Sequence, residues 1–117
     1  MTKTIEWWRN TSNHIWRTYF DISRQIDTGA ATLETIAPSA QRIYSLCHRI
    51  LYERFITADQ DILRTYFSSR WGDDLYIVED YSLKNNIPTT AIWKTIRRAN
   101  RIVIEELGLL ERKDGET

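Results

Sequence analysis

Residues 85–101 read Asn-Asn-Ile-Pro-Thr-Thr-Ala-Ile-Trp-Lys-Thr-Ile-Arg-Arg-Ala-Asn-Arg. This stretch predicts a tight turn at Asn86 followed by a helix, because Asn tolerates the left-handed backbone conformation and Pro88 suits the start of a helix. The predicted helix extends from Thr89 to Leu107, with a break at Gly108. Two helices joined by so short a turn form a helix-turn-helix arrangement. The C-terminal part of the chain is therefore expected to have this arrangement.

The predicted last helix has one basic side and one apolar side. With about 100° per residue, Lys94, Arg97, Arg98 and Arg101 share one side. The opposite side carries Ile92, Ile96, Ala99, Val103 and Leu107. A DNA recognition helix needs such a division, since one side packs and the other meets phosphates. An ordinary solvent-exposed helix also carries Lys and Arg, and the basic side alone favours that simpler interpretation.

Composition limits the classes of protein that need considering. A chain of 117 residues is expected to form one domain with one core. Its 16 basic and 16 acidic residues give a formal net charge of zero, which argues against a protein that coats nucleic acid non-specifically. Any positive surface must be local, and residues 85–101 are the best case because they contain no acid.

Helical periodicity with only 4 Gly and 2 Pro predicts an all-α fold, a bundle of about five helices. Residues 1–56 are expected to form an N-terminal helical part used for the core or for oligomerisation. Residues 57–117 are expected to form the helix-turn-helix part, and both parts to belong to one compact domain. Expected boundaries are Gly29 after the first helix, Pro38 at the start of the second, and a capping box of Thr57 and Gln60 before the third.

The first helix has an apolar side that is wider than one partner helix usually covers. Large aromatic residues at such spacing usually belong to a core. They are also favoured at protein interfaces, so a second copy of the chain is the alternative partner. The residues assigned to oligomerisation are Trp7, Trp8, Trp16 and Phe20.

Features of enzymes and metal sites are weak in this sequence. Cys47 is the single cysteine and falls within an apolar helix face, which predicts a buried structural thiol. No glycine-rich phosphate loop or metal-spaced His and Cys set occurs, so no catalytic residue, metal or cofactor is predicted. The sequence also has no signal-peptide or transmembrane pattern, which predicts a cytoplasmic protein without a membrane partner.

Residues 55–110 resemble the sigma-factor region 4 type of helix-turn-helix, as used by small phage transcriptional regulators of the ArpU and RinA kind. The resemblance lies in the Leu63 to Tyr66-Phe67 element, the Asn86-Ile87-Pro88 turn, Thr90-Ala91-Ile92, Arg98-Ala99 and Glu106-Leu107. In such families the helix after the turn enters the major groove of DNA.

The resemblance implies a role for each exposed residue of the last helix. Bases would lie at or beside Thr89, Thr90, Ala91, Trp93 and Lys94, whereas Arg97, Arg98 and Arg101 would meet phosphates. It implies a sequence-specific regulator that binds double-stranded DNA as a homodimer, with RNA polymerase as a further candidate partner. The alternatives are a helical protein-protein adaptor without direct DNA contact and a small terminase subunit.

Overall fold

The computed structural model describes the backbone of residues 5–68 and 74–115, and the side chains of residues 10–68 and 75–108. Within these residues all regular structure is helical, which confirms the predicted all-α class. The elements are α1 (Ile5–Asp27), a short 3-10 helix (Leu33–Thr35), α2 (Pro38–Arg54), α3 (Thr57–Ser68), α4 (Asp74–Asn85) and α5 (Thr89–Gly115).

The ends of the first two helices follow the local signals. Gly29 has a positive φ of 79°, and just beyond it the Ala30 N–H donates to the Gln25 carbonyl at 2.9 Å, which closes the last turn of α1. Pro38 is the first residue of α2, where its missing N–H would have had no partner within the helix. Both predicted boundaries are confirmed.

The predicted capping box of Thr57 and Gln60 is wrong. Thr57 already belongs to α3, and the backbone N–H of Gln60 donates to the carbonyl of Ile56 at 2.9 Å. The Gln60 side-chain amide donates to the carbonyl of Phe55 at 2.9 Å instead of returning to Thr57. Gln60 therefore ties the start of α3 to the chain leaving α2.

The last helix is longer than predicted. It continues to Gly115, so Gly108 lies inside α5 and the expected break there is wrong. A glycine inside a helix costs only about 1 kcal/mol. Ile104 and Leu107, within one turn before it, pack against the core and hold the helix on the domain.

The centre of the core is Trp16, whose side chain is fully buried. Its ring lies 6.0 Å from that of Tyr19 in an edge-on arrangement and 6.0 Å from that of Phe67 in a stacked one. Its indole Nε1–H donates to the carbonyl of Ala99 at 3.0 Å. Trp16 thus joins α1 to α3 and α5.

One hydrophobic cluster contains residues from all five helices. Its buried members on α3 and α4 are Ile62, Leu63, Tyr66, Phe67 and Val78. Its buried members on α2 are Leu46, Cys47, Ile50 and Leu51, followed by Phe55. The residues predicted as N-terminal and C-terminal parts therefore share a single core.

The burial of Trp16 and Phe20 corrects their assignment to oligomerisation. Trp16 is fully buried and Phe20 is 5% exposed, so neither ring is available to a second chain. The physical reason is that α1 packs against α2, α3 and α5, which together cover its wide apolar side. Trp7 and Trp8 lie on α1, but their side chains are outside the described residues.

Candidate nucleic-acid interface

The turn between α4 and α5 has the backbone conformation that its sequence predicts. Asn86 has a positive φ of 55°. The N–H of Ile87 donates to the carbonyl of Ser82 at 3.2 Å, and the Ser82 hydroxyl donates to the carbonyl of Ile87. The carbonyl of Pro88 accepts the N–H of Ala91 at 3.1 Å, in the first turn of α5. These bonds fix the start of α5 relative to the end of α4.

The two sides of α5 divide as predicted. Its apolar side is inserted in the core, where the fully or nearly fully buried residues are Ile92, Ile96, Ala99, Ile102 and Val103. The opposite side is open to solvent and includes Thr90, Ala91, Lys94, Arg97, Arg98 and Arg101. We call these six residues the exposed face of α5.

Two residues predicted to lie near bases are not fully part of the exposed face. Thr89 is half-buried at the first position of α5. Trp93 is half-buried because its ring packs edge-on against that of Tyr66, with 5.8 Å between centroids. Trp93 therefore helps to dock α5 on α3, and this contact limits how far its ring could reach outward.

The four cations of the exposed face differ in their surroundings. Arg98 donates to the carbonyl of Arg54 at 3.1 Å, and its guanidinium lies 4.9 Å from the centre of the Phe55 ring. Arg98 thus satisfies an end carbonyl of α2, a structural role that the sequence did not indicate. The phosphate contact predicted for Arg98 is still a proposal, because a phosphate would have to compete with the Arg54 carbonyl for the guanidinium.

The remaining cations of the exposed face are more accessible. Arg101 lies 3.8 Å from Glu105, but both side chains are more than 60% exposed, and such pairs contribute little. Lys94 and Arg97 form no ion pair with any residue that the structure describes. Among the cations of α5 whose side chains the structure describes, Lys94, Arg97 and Arg101 are therefore the best placed to meet an anionic partner.

Two further arginines lie beside α5 on α2. Arg49 is 3.2 Å from Glu106, and Arg54 is 3.9 Å from the same carboxylate. The sequence alone indicated no functional role for either arginine. Their proximity to α5 depends on how two distant segments pack, so no local pattern could have indicated it.

In addition to Glu105 and Glu106 on α5, acidic residues lie on α3 and α4. The Tyr81 hydroxyl donates to Asp61 at 2.6 Å, and burial together with this carboxylate raises the pKa of Tyr81 to about 12. Lys84 lies 3.0 Å from Asp80, whose hydrogen bond and charge raise the pKa of Lys84. Glu79 is exposed on α4. Next to the turn, α4 is therefore acidic, whereas α5 is basic up to Arg101.

Other polar features of the described residues are separate from this interface. Burial raises the pKa of the Cys47 thiol, which disfavours the thiolate that nucleophilic chemistry requires. An open cleft of about 390 Å³ lies between α1 and the end of α3. Its residues include Arg24 and Asp21, which are bonded to each other. No group of three or more metal-ligating residues lies close together in the part of the chain described.

Among the same described residues, no helix combines the length and the apolar character needed to cross a membrane. In comparisons with protein-family models, with curated proteins and with solved structures, nothing matched this chain.

Proposed function

We propose that this protein binds double-stranded DNA in a sequence-specific way through the exposed face of α5, as a transcription regulator of the phage type that its sequence resembles. The observation that carries the proposal is the exposed face itself. Lys94, Arg97 and Arg101 stand on one open side of a helix whose other side is locked in the core. Lysine and arginine on a rigid helix suit the phosphates and the guanine edges of a DNA groove.

The first turns of α5 would read the bases. Thr90 and Ala91 are exposed and follow directly after a turn whose backbone bonds fix their position. A threonine hydroxyl can bond to base edges, and a small apolar side chain can contact a thymine methyl group. Farther along the helix, Arg97 and Arg101 would meet the sugar-phosphate backbone.

A module of this size contacts few base pairs, so useful affinity requires a homodimer on a repeated site. Trp16 and Phe20 are in the core, and the dimer surface must therefore lie elsewhere. Light scattering coupled to size exclusion separates two versions of the proposal. A dimer supports the regulator, whereas a ring of many subunits supports a small terminase subunit.

The main test is binding to duplexes from the gene neighbourhood and to random duplexes, followed by fluorescence anisotropy at several salt concentrations. Three or four phosphate contacts predict a slope of log K against log salt near −3. The variant Lys94→Ala/Arg97→Ala/Arg101→Ala should make that slope shallower by about 2 to 3, because it removes three cations that would meet phosphates. No binding at about 50 mM salt, or a slope that this variant leaves unchanged, would refute the proposal.

Thr90→Ala tests the reading of bases separately. We expect it to reduce the preference for the specific duplex over random DNA while leaving the salt slope unchanged, because a hydroxyl neutralises no phosphate. Equal preference in the variant and in the wild-type protein would exclude Thr90 from base recognition.

A second candidate function, a protein-protein adaptor, is favoured by the outer side of α4. Leu75, Tyr76 and Leu83 are 54%, 66% and 84% exposed, although large apolar side chains are usually covered. In this function the outer side of α4 would contact the partner protein, and binding to DNA would not be required. RNA polymerase is the partner to test first, by co-purification of the wild-type protein and of a Leu83→Asp variant. Capture of polymerase by the wild-type protein but not by the variant, together with absence of DNA binding, would favour the adaptor.

A further inference from the structure

Arg49 and Arg54 on α2 extend the basic surface beyond α5. Their side chains are 51% and 49% exposed, so each has one side free to meet solvent. Both lie within 4 Å of Glu106, whose side chain is 25% exposed. We call Arg49, Arg54 and Glu106 the α2–α5 arginine cluster.

The cluster is held at a fixed position relative to the exposed face. Arg98 links the two helices, since its guanidinium bonds to the carbonyl of Arg54 and lies over the ring of Phe55. Arg49 meets Glu106 eight residues farther along α5, and α2 and α5 both bury apolar side chains in the same core cluster, which fixes one helix against the other. The spacing of the arginines from Lys94 and Arg97 is therefore set by packing.

The ion pairs of the cluster are weak enough to exchange. The two arginines are half-exposed although Glu106 is 25% exposed, so water and salt reach the pairs from the arginine side and reduce their contribution towards the about 0–1 kcal/mol of surface pairs. Arginine binds phosphate through two parallel hydrogen bonds, which a carboxylate at 3.9 Å from Arg54 does not provide. A phosphate that reached the cluster would offer Arg54 this geometry and would compete with Glu106 for Arg49, which donates to the Glu106 carboxylate at 3.2 Å.

We propose that Arg49 and Arg54 form a second phosphate-binding site for the DNA held by α5, with Glu106 as the internal competitor that occupies them when no DNA is bound. The proposal rests on the proposed function and adds a second element to the same interface. DNA would then be held from two helices, by Lys94 and Arg97 on α5 and by the two arginines on α2. Glu106 would keep the arginines oriented and lower the affinity for DNA.

The experiment measures salt-dependent binding of full-length variants to a duplex from the gene neighbourhood. Loss of two phosphate contacts in Arg49→Ala/Arg54→Ala should reduce the salt slope by about 2 and weaken binding roughly 30-fold at about 150 mM salt. Glu106→Gln should strengthen binding several-fold, because it removes the competing charge but keeps the shape of the side chain. Urea unfolding of each variant verifies that the fold is retained.

The matched control is Arg24→Ala/Arg64→Ala, which removes two exposed arginines from α1 and α3. It has the same change in net charge and should leave the slope unchanged. If Arg49→Ala/Arg54→Ala behaves like this control, or if Glu106→Gln weakens binding without loss of stability, the cluster is only structural and the inference is overturned.

The variant Lys94→Ala/Arg97→Ala distinguishes failure of the inference from failure of the proposed function. If this variant lowers the slope but Arg49→Ala/Arg54→Ala does not, α5 binds DNA alone and only the inference fails. If the wild-type protein binds no duplex, both the proposed function and the inference fail.

Discussion

Replacing Trp16 with alanine tests whether the aromatic side of α1 belongs to the core of one chain or to an interface between two. The side chain is fully buried, stacks on Phe67 and donates a hydrogen bond to the carbonyl of Ala99. Removing a large buried aromatic side chain costs about 3–5 kcal/mol. A domain of this size has about 5–15 kcal/mol of stability. We therefore expect Trp16→Ala to lower the free energy of unfolding by about 3–5 kcal/mol.

Trp16→Phe separates the hydrogen bond from the ring. It keeps an aromatic ring in the stack, but it loses the indole N–H and part of the volume. The carbonyl of Ala99 lies inside α5 and retains its bond within the helix, so no buried acceptor is left without a partner. The expected cost is about 1 kcal/mol for the bond and a similar amount for the lost volume.

Urea unfolding followed by far-ultraviolet circular dichroism, at two protein concentrations, measures both costs. Leu83→Ala is the control, because that side chain is 84% exposed and its loss should change stability by less than about 0.5 kcal/mol. A cost below about 1 kcal/mol for Trp16→Ala would refute the assignment to the core. The assignment would also be refuted if the urea midpoint of the wild-type protein rose with protein concentration and that of Trp16→Ala did not, because Trp16 would then stabilise an interface between two chains.

Two further predictions concern the turn and the pH dependence of stability. Asn86→Val should destabilise the protein by about 1–2 kcal/mol, because valine is strained at positive φ, while Asn86→Gly should not; equal urea midpoints for both variants would contradict this. The pKa of Tyr81 is raised from 10.0 to about 12, and that of Cys47 is raised from 9.0, so the unfolded chain loses these protons first. The free energy of unfolding should therefore be insensitive to these two groups below about pH 8 and should fall as the pH rises towards 12. Tyr81→Phe should make the upper part of this fall less steep, and a urea midpoint that stays constant up to about pH 11 would contradict the prediction.

Local backbone chemistry was predictable from the sequence. Gly29 and Asn86 both adopt positive φ, and Pro38 begins its helix, because each residue type restricts its own backbone. The buried side of α5 was also predictable, since the period of 3.6 residues determines which residues share a side. The all-α class follows from such local rules applied along the whole chain.

The features that sequence reasoning missed depend on contacts between distant segments. Arg98 meets the end of α2, which lies 44 positions earlier in the sequence, only because the intervening chain folds back and brings α5 against α2. The same packing brings Glu106 to Arg49, a pair 57 residues apart. Gln60 is an exception to this rule, because its amide donates to the carbonyl of Phe55, which lies only 5 residues earlier. Helical periodicity says which side of a helix is apolar, but not which partner each polar side chain will find.

Burial decided between alternatives that the sequence left open. The wide aromatic side of α1 suited either a core or a second chain, and three other helices cover Trp16 and Phe20. The sequence could not determine this, because the arc that a helix buries depends on how many neighbours it packs against. Trp93 was predicted to lie at or beside a base, and in the structure the ring of Tyr66 covers part of the Trp93 ring.

A formal net charge of zero does not argue against DNA binding once the charges are located in the fold. Salt screens exposed charges over about 8–10 Å, so a duplex at the exposed face of α5 responds to nearby groups and not to the total. All charged residues of α5 up to Arg101 are cations, whereas Glu79 and Asp80 lie on α4 before the turn. A duplex attracted to α5 would be repelled from α4 and would lie towards α2, where Arg49 and Arg54 stand. The acidic helix would thus orient the DNA and leave Leu83 on its outer side uncovered for a protein partner.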